Sequence, residues 1–265
     1  MLQDTSKDWA LILGGSKGLG MAAVKKLAGV GFPVAVAHRD PRKDLDAIHG
    51  EFEDLKAKGA RVRHMNCDAI GREGRSRIQE ALSGEWLGPG EKLGLVVYSI
   101  ARGNLKPMSV EAGEAVLTGR DLEITAEAMA FAFYDWAREL KELGLLSDNA
   151  SLLALTSEGS RRILPAYGAV GAAKAALESL VRQMAVEWAG EGIRVNCIQA
   201  GVTDTDSVRR IPGSGELLEH AVRRNPSGRL TQPGDVADAI YLLSRPEAAW
   251  ITGNIICADG GERLC

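Results

Sequence analysis

The sequence predicts an α/β fold: a single doubly wound parallel seven-stranded sheet with helices on both faces. Three observations predict it. Short runs that are apolar throughout, such as Trp9-Ala-Leu-Ile-Leu13 and Pro33-Val-Ala-Val-Ala-His38, read as strands buried on both faces. These runs alternate with stretches of helical periodicity, which is the order that right-handed βαβ units impose. The length of 265 residues suits one such unit, since parallel α/β domains often run to about 250 residues. No linker composition, internal repeat or low-complexity tract divides the chain, so residues 1–265 are expected to form one domain.

The elements follow in order. The strand Trp9–Leu13 runs into a glycine-rich turn and a helix over about Leu19–Val30. The strand Pro33–His38 precedes a charged helix at about Asp44–Lys58, and the strand Arg61–Cys67 precedes a weaker helix at Arg72–Leu82. Leu93–Ile100 is the fourth strand. A loop rich in Gly, Pro and Ser then leads to one long helix, roughly Leu122–Leu143. Ala150–Leu155 is the fifth strand and Ala166–Ala189 a second long helix. Ile193–Ile198 and Asn254–Ala258 are the last strands, with a helix at Gly234–Leu243 between them. The segment Gly201–Pro233 breaks the rhythm. It is polar, holds Pro212, Gly213, Gly215, Pro226 and Gly228, and carries five arginines. It leaves the carboxyl end of the sixth strand, where open α/β sheets bind ligands. It reads as a mobile substrate loop, with a plain surface excursion as the alternative.

Composition bounds the function. With 45% hydrophobic residues the chain can build a core, and disorder is excluded. The balance of 32 Lys+Arg against 35 Asp+Glu, net −3, argues against a nucleic-acid partner. No run approaches the ~18 apolar residues that span a bilayer, and Met1–Asp8 lacks the apolar segment of a secretory signal. Cys67, Cys197, Cys257 and Cys265 form no CxxC and read as reduced thiols of a cytoplasmic protein. His38, His49, His64 and His220 show no metal-ligand spacing, so no metal is expected, and no Gly-x-Ser-x-Gly elbow occurs.

Gly14-Gly-Ser16-Lys17-Gly18-Leu19-Gly20 joins the first strand to the first helix. A backbone that must turn tightly against a pyrophosphate needs glycine there, and the helix N-terminus supplies amide donors. In this strand–turn–helix setting the motif predicts a Rossmann-type dinucleotide site. The second strand ends His38-Arg39-Asp40. Arg39, with Lys17 nearby, suits a 2′-phosphate and hence NADPH; Asp40 would suit the ribose of NADH instead. Asp68, with Ala69 beside it after the third strand, either accepts from the adenine amino group or caps a helix.

Together, Gly14-xxx-Gly18-x-Gly20, Asp68, Tyr167 with Lys174, Ile193-Arg-Val-Asn196, Thr205 and Asp259-Gly-Gly261 resemble the short-chain dehydrogenase/reductase family from about Trp9 to Gly261. Where the common form has its catalytic tyrosine, four positions before the lysine, this chain has Val170; its tyrosine is Tyr167, seven before Lys174. Residues seven apart share one helix face, and a shift of three residues moves the backbone roughly 4.5 Å along the axis. That is about the separation of the C3 oxygen and the thioester oxygen in a 3-ketoacyl thioester. A ketone reductase needs its donor at the former, and an enoyl reductase at the latter, where enolate charge develops. The Tyr-x6-Lys spacing, Tyr98-Ser-Ile-Ala101 and Gly201-Val-Thr-Asp-Thr-Asp206 are similar to the divergent branch that contains NADPH-dependent enoyl-acyl-carrier-protein reductases.

The resemblance implies roles. Tyr167 would steady the enolate. Lys174 would bind the nicotinamide ribose and lower the Tyr167 pKa, while Ser157 would be a second donor or a turn cap. Ser99, Ile100 and Ala101 would line the riboses, Thr203 the carboxamide and Thr205 the phosphates. Glu123 or Thr125 would replace the family's helix asparagine. Arg209, Arg210, Arg223 and Arg224 would meet an acyl carrier protein or be a solvated loop. The helices bearing Phe131, Phe133, Trp136 and Trp188 would pair subunits in a homotetramer or homodimer, or serve the core. The expected activity is NADPH-dependent reduction of an enoyl thioester, carried by acyl carrier protein or CoA. Reduction of a 3-ketoacyl thioester or other carbonyl, and NADP(H) sensing without turnover, are the rivals.

Overall fold

The computed structural model describes residues 8–109 and 115–265. The N-terminal stretch read above as lacking a secretory signal lies, up to Lys7, outside the described residues. The order is β1 (Trp9–Leu13), α1 (Gly18–Gly29), β2 (Val34–His38), α2 (Leu45–Ala57), β3 (Val62–Asn66), α3 (Arg72–Ala81), β4 (Leu93–Tyr98), α4 (Gly119–Ala126), α5 (Ala132–Glu142), β5 (Leu146–Ser157), α6 (Gly168–Glu187), β6 (Arg194–Ala200), α7 (Asp206–Arg209), α8 (Ser214–Arg224), α9 (Pro233–Ser244) and β7 (Ile255–Ala258). The seven strands form one sheet in the order β3-β2-β1-β4-β5-β6-β7, and every neighbouring pair is parallel.

Alternation along each strand feeds two cores. Ala10, Ile12, Val36, Val97 and Ile198 pack beneath α1, α2 and α9. Leu11, Leu13, Val96, Leu152 and Val195 pack beneath α3, α5 and α6. The order of connection reverses between β1 and β4, and the crevice at the carboxyl ends of these strands is where such sheets hold ligands.

The structure corrects several boundaries. The long helix expected over Leu122–Leu143 starts earlier, at Gly119, because Thr118 and Asp121 form a reciprocal capping box. It is also interrupted by a π-helical turn at Glu127–Phe131. β5 begins at Leu146 rather than Ala150: Leu93 pairs with Leu146 and Leu95 already with Ser151, so a bulge absorbs the polar stretch between them. α6 begins at Gly168, so Tyr167 caps the helix from outside its first turn. Ala166 before it holds φ +56, a left-handed conformation that an alanine adopts only under constraint. Gly201–Pro233 is not a featureless loop but contains α7 and α8. Phe133 and Trp136 are fully buried, so these two serve the core. Trp136 Nε1 donates to the Ala69 carbonyl at 2.7 Å, which ties α5 to the loop after β3.

Candidate active site

A cleft of about 420 Å³ opens over the carboxyl ends of β1, β4, β5 and β6. Of the residues singled out from sequence, it gathers Lys17, Gly18, Leu19, Ser99, Ile100, Ala101, Ser157, Tyr167, Lys174, Thr203 and Thr205. The glycine turn is built as a cradle. A Cβ on Gly20 would stand 2.0 Å from the Gly14 carbonyl oxygen, and one on Gly14 would stand 2.8 Å from the Ser99 carbonyl oxygen. Among the described residues, no side chain caps α1 at Lys17, so its first-turn amides and the positive end of the helix are open to an anion. These features fit a dinucleotide pyrophosphate. Thr205 faces this turn, its Cγ2 3.5 Å from the Cβ position of Gly18, and its Oγ1 accepts from Val208 N to start α7.

Gly14, Ser16, Gly20, Arg39, Asp68 and Ala69 lie outside the cleft lining. The last three surround the end of β2. Arg39 Nη1 donates to Asp68 Oδ2 at 2.8 Å from an exposed position. Arg102, which sequence reasoning passed over, stands 3.8 Å from the same carboxylate. Asp68 Oδ1 accepts from Ile70 N at 3.0 Å, the local turn role. Asp40 faces inward. His38 Nδ1 lies 2.9 Å and Lys17 Nζ 3.2 Å from its oxygens. Burial pushes the Asp40 carboxyl up, but hydrogen bonds from Ser16, His38 and Lys17 outweigh it and hold the group below its ordinary value. Lys17 also donates to Asp44 at 2.6 Å, so two carboxylates already answer its charge.

Across the cleft, Ser157 closes β5, and its Oγ lies 3.4 Å from the Tyr167 hydroxyl. Gly159 lets the Tyr167 ring settle against this turn, because a Cβ there would come 2.4 Å from the ring. Lys174, 6% exposed, donates to the Leu155 carbonyl at 2.7 Å. Burial lowers the Lys174 ammonium to about 8. Burial also raises the Tyr167 phenol, and the Ser157 hydrogen bond opposes this only in part. The expectation that Lys174 depresses the Tyr167 pKa is thus corrected: desolvation governs both groups.

Val170 is buried in a small apolar cluster with Ala128, Met129 and Ala173, so the usual tyrosine position holds packing and no hydroxyl. Glu123 points to solvent beside Arg120 and does not replace the family asparagine. Thr125 is fully buried, and a Cβ on Gly103 would meet both its Cγ2 and Val170. Its hydroxyl is already spent, donating to the Asp121 carbonyl and accepting from Asn104 N.

The comparisons decide the family. The family model described as enoyl-(acyl carrier protein) reductase matches residues 14–262. The chain belongs to the short-chain dehydrogenase/reductase family. A chloroplastic tropinone reductase homologue of Arabidopsis thaliana is 31% identical over 257 residues, covering 96% of this chain and 75% of that protein. The enoyl-[acyl-carrier-protein] reductase (NADH) of Aquifex aeolicus VF5 superposes with a TM-score of 0.82 at 27% identity over 97% of each chain. A dehydrogenase/reductase of Sinorhizobium meliloti 1021 gives 0.81 at 25% identity over 96% of this chain and 94% of that one. This short-chain dehydrogenase/reductase is therefore an oxidoreductase whose fold implies a nicotinamide cofactor. Among the described residues, no helix is long and apolar enough to cross a membrane.

Sequence reasoning on this short-chain dehydrogenase/reductase missed the buried polar supports. Thr156 Oγ1 donates to Glu178 at 2.8 Å under the cleft floor. Arg224 Nη2 donates to Glu158 at 2.7 Å and to Glu262 at 2.6 Å. Arg224, only 6% exposed in its side chain, is withdrawn from any carrier-binding role. The one available signal was an acid, Glu178, in an otherwise apolar stretch of α6. The histidines dismissed for their spacing are also brought together: His38, His49 and His64 form one cluster.

Proposed function

We propose that this short-chain reductase reduces the C2=C3 double bond of an enoyl thioester with NADPH. The observation that carries the reading is the placement of Tyr167 outside α6 with apolar Val170 at the usual tyrosine position. A nicotinamide dinucleotide bound in the cleft supplies the hydride. Tyr167, kept protonated by burial, donates a hydrogen bond to the thioester oxygen as enolate charge develops there. Solvent supplies the C2 proton. Ser157 assists Tyr167, and Lys174 binds ribose hydroxyls.

Ser99, Ile100 and Ala101 line the riboses, while Thr203 and Thr205 meet the carboxamide and phosphates. Arg39 takes the 2′-phosphate, exchanging Asp68 for it; that Asp40 is already engaged inward supports NADPH over NADH. The exposed Arg209, Arg210 and Arg223 face an anionic acyl carrier protein or CoA. Exposed Phe131 and Tyr134 pair this chain with copies of itself in a homodimer or homotetramer, and the protein works in the cytoplasm. Carbonyl reduction is the second reading, favoured by the tropinone reductase names among the relatives.

Loss of NADPH absorbance with a trans-2-enoyl thioester, followed in wild type and Tyr167→Phe, tests the role of the phenol. Removing one donor to a developing oxyanion costs about 10²–10³ in kcat, with NADPH binding unchanged. Unaltered kcat in Tyr167→Phe would remove the tyrosine from the mechanism.

A further inference from the structure

We propose that His38, His49 and His64 form a binding site for one divalent transition metal ion, with Zn²⁺ as the best fit. One ring nitrogen from each lies within 4.8 Å of the other two. A tetrahedral site with metal–nitrogen distances of about 2.0–2.1 Å sets its ligand atoms about 3.4 Å apart, so modest side-chain rotation closes the set.

The fold explains the convergence. His64 pairs with Val36 in the β2–β3 register, and His38 lies two residues past Val36. Both imidazoles therefore leave the same face of neighbouring strands. α2 covers that face with Phe52, whose ring stacks on His64 at 4.4 Å, and brings His49 to a ring distance of 5.0 Å from His64.

Two observations point to a ligand rather than to packing. Among the described residues, His38 Nε2 and His64 Nδ1 are buried atoms with no hydrogen-bond partner, a costly state that aromatic stacking leaves unrelieved and a metal ion would relieve. His38 is 2% exposed, and its other nitrogen, Nδ1, already sits 2.9 Å from Asp40 Oδ2. A proton held on Nδ1 by a carboxylate leaves Nε2 as a free lone pair, which is the carboxylate–histidine–metal arrangement. Asp40 is in turn anchored by Lys17 at 3.2 Å.

The donor set is three imidazoles with no thiolate, which suits Zn²⁺ over the soft and the oxygen-seeking cations. The nearest thiol in sequence, Cys67, is turned toward the Gly74 carbonyl. Water would complete the coordination. Whereas the cleft opens over β1, β4, β5 and β6, the site lies on β2, β3 and α2. It would brace the adenosine end of the cofactor site and take no part in hydride transfer.

The test uses the untagged chain, stripped with a chelator and titrated with Zn²⁺ against a chromophoric zinc indicator at neutral pH. Wild type is expected to bind one equivalent, at least 100-fold more tightly than His49→Ala, and to gain thermal stability on zinc addition that His49→Ala does not. His49 reaches solvent, so this variant keeps the buried pair intact and folded; His64→Phe, which preserves the stack on Phe52, is the second variant. Co²⁺ in place of Zn²⁺ should give the visible absorption of tetrahedral coordination. His220→Ala, an exposed histidine outside the cluster, should bind as wild type. Equal zinc affinity in wild type and His49→Ala, or no uptake beyond the indicator, would overturn the site.

Discussion

Arg224 is the residue whose removal the structure prices most sharply. It anchors the C-terminal end of α8, which carries Leu217 into the cleft lining, to the turn after β5 and to the C-terminal segment. Its Nη2 serves Glu158 and Glu262 at 2.7 and 2.6 Å, with side-chain exposures of 6%, 16% and 2% for Arg224, Glu158 and Glu262 in turn. Breaking a buried pair by deleting one partner costs about 3–5 kcal/mol, because a charge is left buried and unpaired. Against that, Arg224 Nε and Nη1 have no partner among the described residues, and removing two orphaned donors, at about 1 kcal/mol each, returns about 2 kcal/mol. The net for Arg224→Met is a loss of about 1–3 kcal/mol. At about 2–4 °C per kcal/mol for a chain of this class, the melting temperature falls by roughly 2–12 °C. Denaturant unfolding of wild type, Arg224→Met and the triple variant Arg224→Met/Glu158→Gln/Glu262→Gln checks it. The triple variant should recover most of the loss, since no carboxylate remains to be stranded. Arg224→Met as stable as wild type, or a triple variant no better than the single, would contradict the anchoring role of Arg224.

Two further predictions follow from single side chains. Arg39→Ala should raise the NADPH dissociation constant about 10- to 150-fold, the loss of a charged hydrogen bond worth about 1.5–3 kcal/mol, while leaving NADH within twofold; calorimetric titration of both cofactors reads this. Burial holds Lys174 near 8 in the folded chain against its ordinary 10.5, so between those values the unfolded chain binds more protons. Stability should therefore rise with pH through this group from about pH 8 to about 10.5, by on the order of 3 kcal/mol at most. Below pH 8 the gain is absent. Unfolding midpoints across that range should show the rise in wild type and its loss in Lys174→Met.

The sheet was legible in the sequence because central strands such as β1 and β4 are apolar on both faces, and runs such as Leu11 to Leu13 have no other stable use. The glycine turn was legible for a similar reason: only glycine tolerates the approach of residues 14 and 20. What was hidden was polar and distant in sequence. Arg224, Glu158 and Glu262 come from three separate segments, and nothing local distinguishes a buried arginine in α8 from exposed Arg223 beside it. The polar start of β5 looked like loop because a bulge leaves its residues outside the core. Tyr167 was placed on the helix by counting, but the left-handed turn at Ala166 sets it just outside. Linear spacing hides the histidine cluster, although strand register puts His38 and His64 on one face. Reading period-two positions on neighbouring strands together, instead of along one strand, would have revealed that pair.

In the proposed function, the tyrosine displaced to residue 167 directs the chemistry to the double bond. The most direct measurement compares kcat/KM for a trans-2-enoyl thioester and a 3-ketoacyl thioester of the same acyl length, with NADPH and the wild-type chain. The wild-type chain should prefer the enoyl substrate by about 100-fold or more, the value of one well-placed oxyanion donor. Equal turnover of the two, or preference for the 3-ketoacyl thioester, would contradict it.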